Sequence, residues 1–311
     1  MTFADKLREI ESELSPEFDQ LFNTVLDNQK HEGDLLLIIE NGFYNPDVHN
    51  WVLPKKLSPY MIGLTSEGIS AYTHYEFIHN YRTNAIVDFS YSKYLEDLKN
   101  RVSETKEGLE QIQRLEEQSI HLEMLIYLKI WEADLFIKRY YQIVRLLQGL
   151  SYDWHFKIAE SNRDEEATGK RHTIIRQKVR DVFQNEFPAI YQSFKVAYKT
   201  QVRNSIAHSK FSFQSRHIHL DNYIQSDPAS QLKVITFDEW IEMFHYTMIL
   251  YNEQIGFIEK ARSYYSEIAA KSDNLCEVMI TRKDPEERVE YHTLKHRPEF
   301  GRWHWLSQDN S

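Results

Sequence analysis

Between Glu107 and Leu150, apolar residues recur at helical spacing with little interruption: Leu109, Ile112, Leu115, Ile120, Ile126, Ile130, Leu135, Ile143 and Leu146 mark one stripe, and Gly149 supplies a stop. A stripe this long cannot be a strand. It commits the chain to helix packed on helix. The rest of the sequence agrees, because 9 Gly and 8 Pro among 311 residues leave few places for tight turns. Further helices are expected over residues 1–30 with a break at Ser15-Pro16, over Tyr91–Arg101 and Thr173–Gln184, from Pro188 onward, and from Phe237 to about Ala270. Thr236 and Glu239 have the spacing of a helix cap. Asp34–Glu40 is apolar and fits helix or strand, while 41–59 reads as a loop and 161–169 as a polar one. Alternation over Phe211–Leu220, pairing with Lys233–Thr236, predicts a hairpin, and a second is expected from Cys276–Thr281 and Arg288–Leu294. The fold class is therefore all-α in the main, with short β-hairpins. Its segments are an N-terminal helical and aromatic region (1–118), a helical bundle (119–270) and a C-terminal hairpin and tail (271–311).

Composition excludes several classes. One cysteine, Cys276, forms no intramolecular disulfide and no cysteine-based zinc site, as suits a reducing cytoplasm. There is no apolar signal core and no apolar run near the ~20 residues a span requires, so a soluble, cytoplasmic protein without membrane contact is expected. The net charge of −10 speaks against a polyanion partner until its distribution is read. From Lys170 to Leu220 ten basic residues face only Asp181 and Glu186, a local charge of +8. A local basic field is what a polyanion site requires.

Inside that field, Arg203, Asn204 and His208 fall within six residues. Ile190, Phe194, Ala197 and Gln201 carry a helical stripe up to them, so all three should lie on the last turns of the helix begun at Pro188. Asn204 and His208 are i, i+4 on one face, and Asn204 is placed to fix the imidazole tautomer. The planar fork of Arg203 suits phosphate oxygens. Lys199, Lys210, Arg176 and Lys195 are the neighbouring phosphate-binding candidates. Glu132 and Asp134 interrupt the long apolar stripe, where one of them is placed to pair with Lys138 or Arg139 on a helix face. His74 and His79 read as structural. His217 and His219 share a strand face, too weak a signal for a metal site. No phosphate loop or His-Glu-x-x-His motif occurs, and no metal is expected.

The residues Arg203-Asn-Ser-Ile-Ala-His208 resemble the Arg-x4–6-His signature of HEPN domains in its Arg-Asn-x-x-x-His form, with a resemblance extending over about residues 120–270. It implies a four- or five-helix bundle, often dimeric, without cofactor. Many such proteins are metal-independent endoribonucleases of toxin–antitoxin, antiviral or RNA-processing systems; others are non-catalytic binding modules. The resemblance implies RNA as substrate, Arg203, Asn204 and His208 as catalytic residues, an acidic residue such as Glu132 or Asp134 near the motif, a homodimer, and control by a regulatory or antitoxin partner.

Overall fold

The computed structural model describes residues 1–47, 57–63, 76–80, 90–102, 106–158, 170–227, 230–283 and 286–306. Within these, helices dominate and the strands form small antiparallel sheets. The chain forms two compact units whose sequences interleave: one holds Met1–Glu17, His74–Ala133 and Phe183–Glu253, the other Phe18–Thr73, Asp134–Val182 and Gln254–Ser311. Helix α1 (Ala4–Asn28) runs through Pro16 rather than breaking there. Proline removes one ladder bond, and Leu14 and Phe18, buried on either side of it, hold the helix across the gap.

The first unit contains the start of α1, α3 (Tyr91–Val102) and α4 (Lys106–Glu132), then α7 (Pro188–Ala197), α8 (Thr200–Ala207) and the start of α9 (Phe237–Lys271). The long apolar stripe ends sooner than its periodicity predicts. α4 stops at Glu132, Ala133 N–H closes on Ile130 O (3.3 Å) in a tightened turn, and Asp134 opens a new helix. An acidic residue in a first turn favours such a start. The core of this unit is aromatic: Tyr127, Trp131, Trp240 and Phe194 are fully buried. Polar tips inside it are paired, with Trp240 Nε1–H donating to Glu123 (2.7 Å) and Trp131 Nε1–H to Thr247 Oγ1 (3.3 Å).

Phe211–Leu220 is a hairpin in itself, not one strand: β3 (Phe211–Gln214) and β4 (His217–Leu220) pair around Ser215-Arg216, and β5 (Val234–Thr236) adds to β4. Ser215 and Arg216 have φ of 48° and 59°, the two left-handed residues of a primed turn, with neither Gly nor Asn present. What holds Arg216 there is visible. Its guanidinium grips buried Glu116 through Nε (3.0 Å) and Nη2 (2.9 Å), and Tyr94 donates its hydroxyl to the same carboxylate. The Thr236–Glu239 cap forms reciprocally, Thr236 N–H to Glu239 Oε2 (2.6 Å) and Glu239 N–H to Thr236 Oγ1 (3.1 Å).

The second unit contains the rest of α1, α2 (Asp34–Ile39), α5 (Asp134–Leu147), the rest of α9 and, among the described residues, five strands: the pair β1 (Phe43–Tyr44) and β2 (Tyr60–Met61), then β6 (Leu275–Arg282), β7 (Arg288–Arg297) and β8 (Arg302–Trp305). The apolar run at 34–39 is a helix buried all round. Lys170–Thr173 (α6) continues as a π turn (Ile174–Val179) and a 3₁₀ turn (Arg180–Phe183), where an uninterrupted helix was expected. Lys138 is buried and donates to Asn41 Oδ1 (2.9 Å) and Gly42 O (3.0 Å). The C-terminal hairpin gains a third strand, β8, from the aromatic tail. Among the described residues no helix is long and apolar enough to cross a membrane. His74 and the 161–169 loop lie outside the described residues, and His79 is exposed.

Two outcomes follow from these buried pairs. Arg216→Ala strands the Glu116 carboxylate and is expected to cost about 3 kcal/mol, most of it restored when Glu116 is also replaced by Leu; urea denaturation of both variants checks this. His245 is fully buried, its Nδ1–H donating to Ile241 O (2.6 Å) and its Nε2 accepting Phe3 N–H (2.8 Å), and burial above all lowers its pKa to about 4. The unfolded imidazole titrates near 6.5. Its contribution is therefore full above pH 6.5 and lost as pH falls toward 4, about 3 kcal/mol in all. Burial raises Asp34 and Glu40 to about 7, so these carboxyls act in the opposite direction over the same range. The measurement is the difference in urea stability between wild type and the non-titrating His245→Gln, which should shrink as pH drops from 7 to 4.5.

Candidate functional site

The helix predicted to run unbroken from Pro188 into the motif is two helices. Tyr198 and Lys199 are extended, with ψ of 112° and 114°, and they separate α7 from α8. The cause lies on α4. The Tyr198 ring packs on Trp131 at 4.8 Å, and Lys199 N–H reaches the Tyr127 hydroxyl at 3.4 Å. The motif thus occupies a helix of its own. Val202, Ser205 and Ile206 bury its inner side. Gln201 pins the following loop by bonding Leu232 at both N–H (2.8 Å) and C=O (2.7 Å).

Arg203 and Asn204 lie on the half-exposed side. Arg203 Nη1–H donates to Asn204 Oδ1 (2.7 Å), and Arg203 Nε lies 2.5 Å from Glu132 Oε1, at the last residue of α4. The Nε–H is not aimed along that contact, so it is an ion contact rather than an aligned hydrogen bond. Asn204 therefore braces Arg203, not the imidazole as its i, i+4 spacing suggested. His208 is the exposed C-cap of α8, its backbone N–H on Asn204 O (3.1 Å), and its ring has no hydrogen bond or ion pair among the described residues.

The turn that follows fixes where His208 sits. Ser209 N–H bonds Ile206 O (3.1 Å) and Lys210 N–H bonds Ser205 O (2.8 Å), the paired bonds of a Schellman ending, with Ser209 left-handed at φ 52°. The Ser205 hydroxyl donates to Lys210 O and closes the turn from inside.

The other sequence candidates divide. Glu132 meets the motif, whereas Asp134 belongs to the second unit and pairs with Arg171 at 2.7 Å. Lys199, Lys195 and Lys210 share the first unit with the motif, and Arg176 belongs to the second. Lys195 lies over the Tyr191 ring (5.9 Å), and Lys199 and Lys210 make no ion pair among the described residues. The basic field is weaker than its sequence count, since Arg171, Arg203 and Arg216 all meet carboxylates from outside the segment. His217 donates to Ser215 O (2.7 Å), and among the described residues no three His, Cys, Asp or Glu side chains converge to hold a metal ion.

One element escaped the sequence reading. His121 on α4 is exposed and stands against Phe213 (4.8 Å) and Phe211 (5.8 Å), the rings that begin just after Lys210. Nothing in local spacing links His121 to these rings; only the packed hairpin does.

No protein-family model, curated protein or solved structure matches this chain.

Because Ser209 occupies a left-handed position, Ser209→Val is expected to lose about 1–2 kcal/mol, while Ser209→Gly is neutral or stabilising. Thermal denaturation of the two variants measures the difference, and equal stability would show that the turn does not constrain this position.

Proposed function

We propose that this chain is a metal-independent endoribonuclease of the HEPN type, acting in the cytoplasm in a defence, toxin or RNA-processing role. One observation carries the reading: a guanidinium braced by Asn204 and Glu132 and an exposed, uncommitted imidazole lie on the same two-turn helix. In the proposed reaction the ribose 2′-OH attacks the adjacent phosphorus and loses its proton to a base. The P–O5′ bond breaks, and the departing 5′ oxygen takes up a proton. The products are a 2′,3′-cyclic phosphate and a 5′-OH. His208 is the acid–base group, since an imidazole exchanges protons near neutral pH. Arg203 offers its remaining Nη hydrogens to the phosphorane oxygens, whose charge grows in the transition state. Two proton transfers call for two groups, and a homodimer would supply a second His208. DNA lacks the nucleophile and should resist. A ribonuclease endangers its own cell, so a regulatory or antitoxin partner belongs to the proposal.

A second reading rests on a different feature of the same site. The Glu132 carboxylate counters the Arg203 charge, which suits a non-catalytic HEPN module that binds nucleotide or RNA, or scaffolds a complex, without turnover.

Purified wild type and His208→Ala, incubated with total RNA in EDTA, separate the two. Wild type is expected to cleave and leave cyclic phosphate ends. The variant should fall by about 10²–10⁴-fold at unchanged melting temperature. Equal cleavage by both removes His208 from the mechanism, and RNA binding without cleavage selects the second reading.

A further inference from the structure

The second unit carries a cluster of cations that the motif does not use. In the β7–β8 ribbon Arg297 lies directly opposite Arg302 and Lys295 opposite His304. Directly opposed residues project to the same side of a sheet, and neighbours along a strand alternate. One face of the ribbon is accordingly apolar: Leu294 and Trp303 are buried, and Trp305 stacks near Trp154 at 6.2 Å. The other face carries Lys295, Arg297, Arg302 and His304 as a block of four, all exposed and none in an ion pair among the described residues. Like charges directly opposed across strands repel and destabilise a sheet, so nothing in the stability of the ribbon explains the pairing of two arginines.

Three further observations give the block the form of a site. Arg297, Phe300, Arg302 and His304 line an open concavity of about 480 Å³, within the size range of small-ligand pockets. Phe300, in the connecting turn closed by left-handed Gly301 (φ 58°), is 64% exposed. Carboxylates do little to neutralise the cations. Glu299 acts on His304 from the same turn, and Glu40, within electrostatic reach of Arg302, is itself raised to about 7 by burial. The His304 ring is held below its ordinary pKa by loss of solvent and by both guanidiniums.

We infer that this end of the β7–β8 ribbon is a nucleotide-binding site, in which Arg297 and Arg302 take a phosphate group and Phe300 stacks a base. Paired guanidiniums match phosphate oxygens, and an exposed aromatic ring offers any base a face. The ligand is a nucleotide, either free or as a unit of single-stranded RNA. The site shares no residue with the 203–208 motif and does not depend on the chain being a ribonuclease.

The test uses the full chain carrying His208→Ala, so that no result depends on cleavage. An eight-nucleotide oligoadenylate RNA is titrated by fluorescence anisotropy, and AMP, adenosine and inorganic phosphate by calorimetry. Either the RNA or AMP should bind, with adenosine and phosphate each at least tenfold weaker. Binding by RNA with little affinity for AMP assigns the source to a strand, and AMP binding with competition against the RNA assigns it to free nucleotide. The Arg297→Ala/Arg302→Ala double variant should weaken binding at least tenfold and Phe300→Ala about tenfold, with melting unchanged because all three side chains are exposed. Absence of binding by both ligands, or binding retained in both variants, overturns the site. Equal affinity for phosphate and AMP with no effect of Phe300→Ala also overturns it, reducing the block to an anion patch.

Discussion

The seating of Tyr198 against Trp131 decides where the motif helix begins. The 3.4 Å contact between Lys199 N–H and the Tyr127 hydroxyl is too long to dominate. Ring burial does more, since aromatic pairs add about 0.5–1.5 kcal/mol beyond the area they bury. Trp131 packs against Tyr198 at 4.8 Å, Phe194 at 6.2 Å and Tyr127 at 6.3 Å. Tyr198 N–H keeps its bond to Phe194 O (3.0 Å), but restarting the helix leaves the first N–H groups of α8 without ladder partners, and the aromatic seat offsets that loss. Glu132 follows Trp131 directly, so the contact that ends α7 also places a carboxylate opposite Arg203.

The same helix explains why local charge overstates the field. α4 carries Glu116, Glu123 and Glu132 toward the rest of its unit. Glu116 takes Arg216, Glu132 takes Arg203, and Glu123 is spent on the Trp240 indole and Ser119. A window of sequence counts the arginines and misses the carboxylates, which lie far away along the chain. Lys199 and Lys210 are left without an ion pair among the described residues. Lys is a point charge on a flexible stem, able to meet a phosphate from many directions without specifying one.

Helix content was legible in the sequence because a 3.6-residue stripe survives any tertiary context. The Thr236–Glu239 cap was legible because it is local chemistry. The breaks were not. Ala133 and Tyr198-Lys199 contain neither Gly nor Pro, and each interruption comes from packing or from the next helix's start. The Ser215-Arg216 turn was hidden for the same reason, since Arg216 holds a left-handed conformation by gripping Glu116. At the candidate site the grouping of Arg203, Asn204 and His208 at a helix end could be read from spacing. Their division of labour could not, because Asn204 had two candidate partners and only the placement of Glu132 draws Arg203 toward it.

That division separates two mechanical demands. A guanidinium that stabilises developing charge works best when its orientation is fixed beforehand, since reorganisation during the reaction costs what stabilisation gains. Arg203 meets this condition, braced by one neighbour on its own helix and one on α4. A group that moves protons has to meet two atoms at different stages and benefits from rotational freedom. His208 meets that one, because the Schellman turn fixes its backbone while its ring projects past the last helical residue. The backbone bonds of Ser209 and Lys210 hold the base of the His208 side chain, whereas Asn204 takes hold of the Arg203 guanidinium itself through Nη1. Were His208 one turn earlier, the surrounding helix would restrict its χ1.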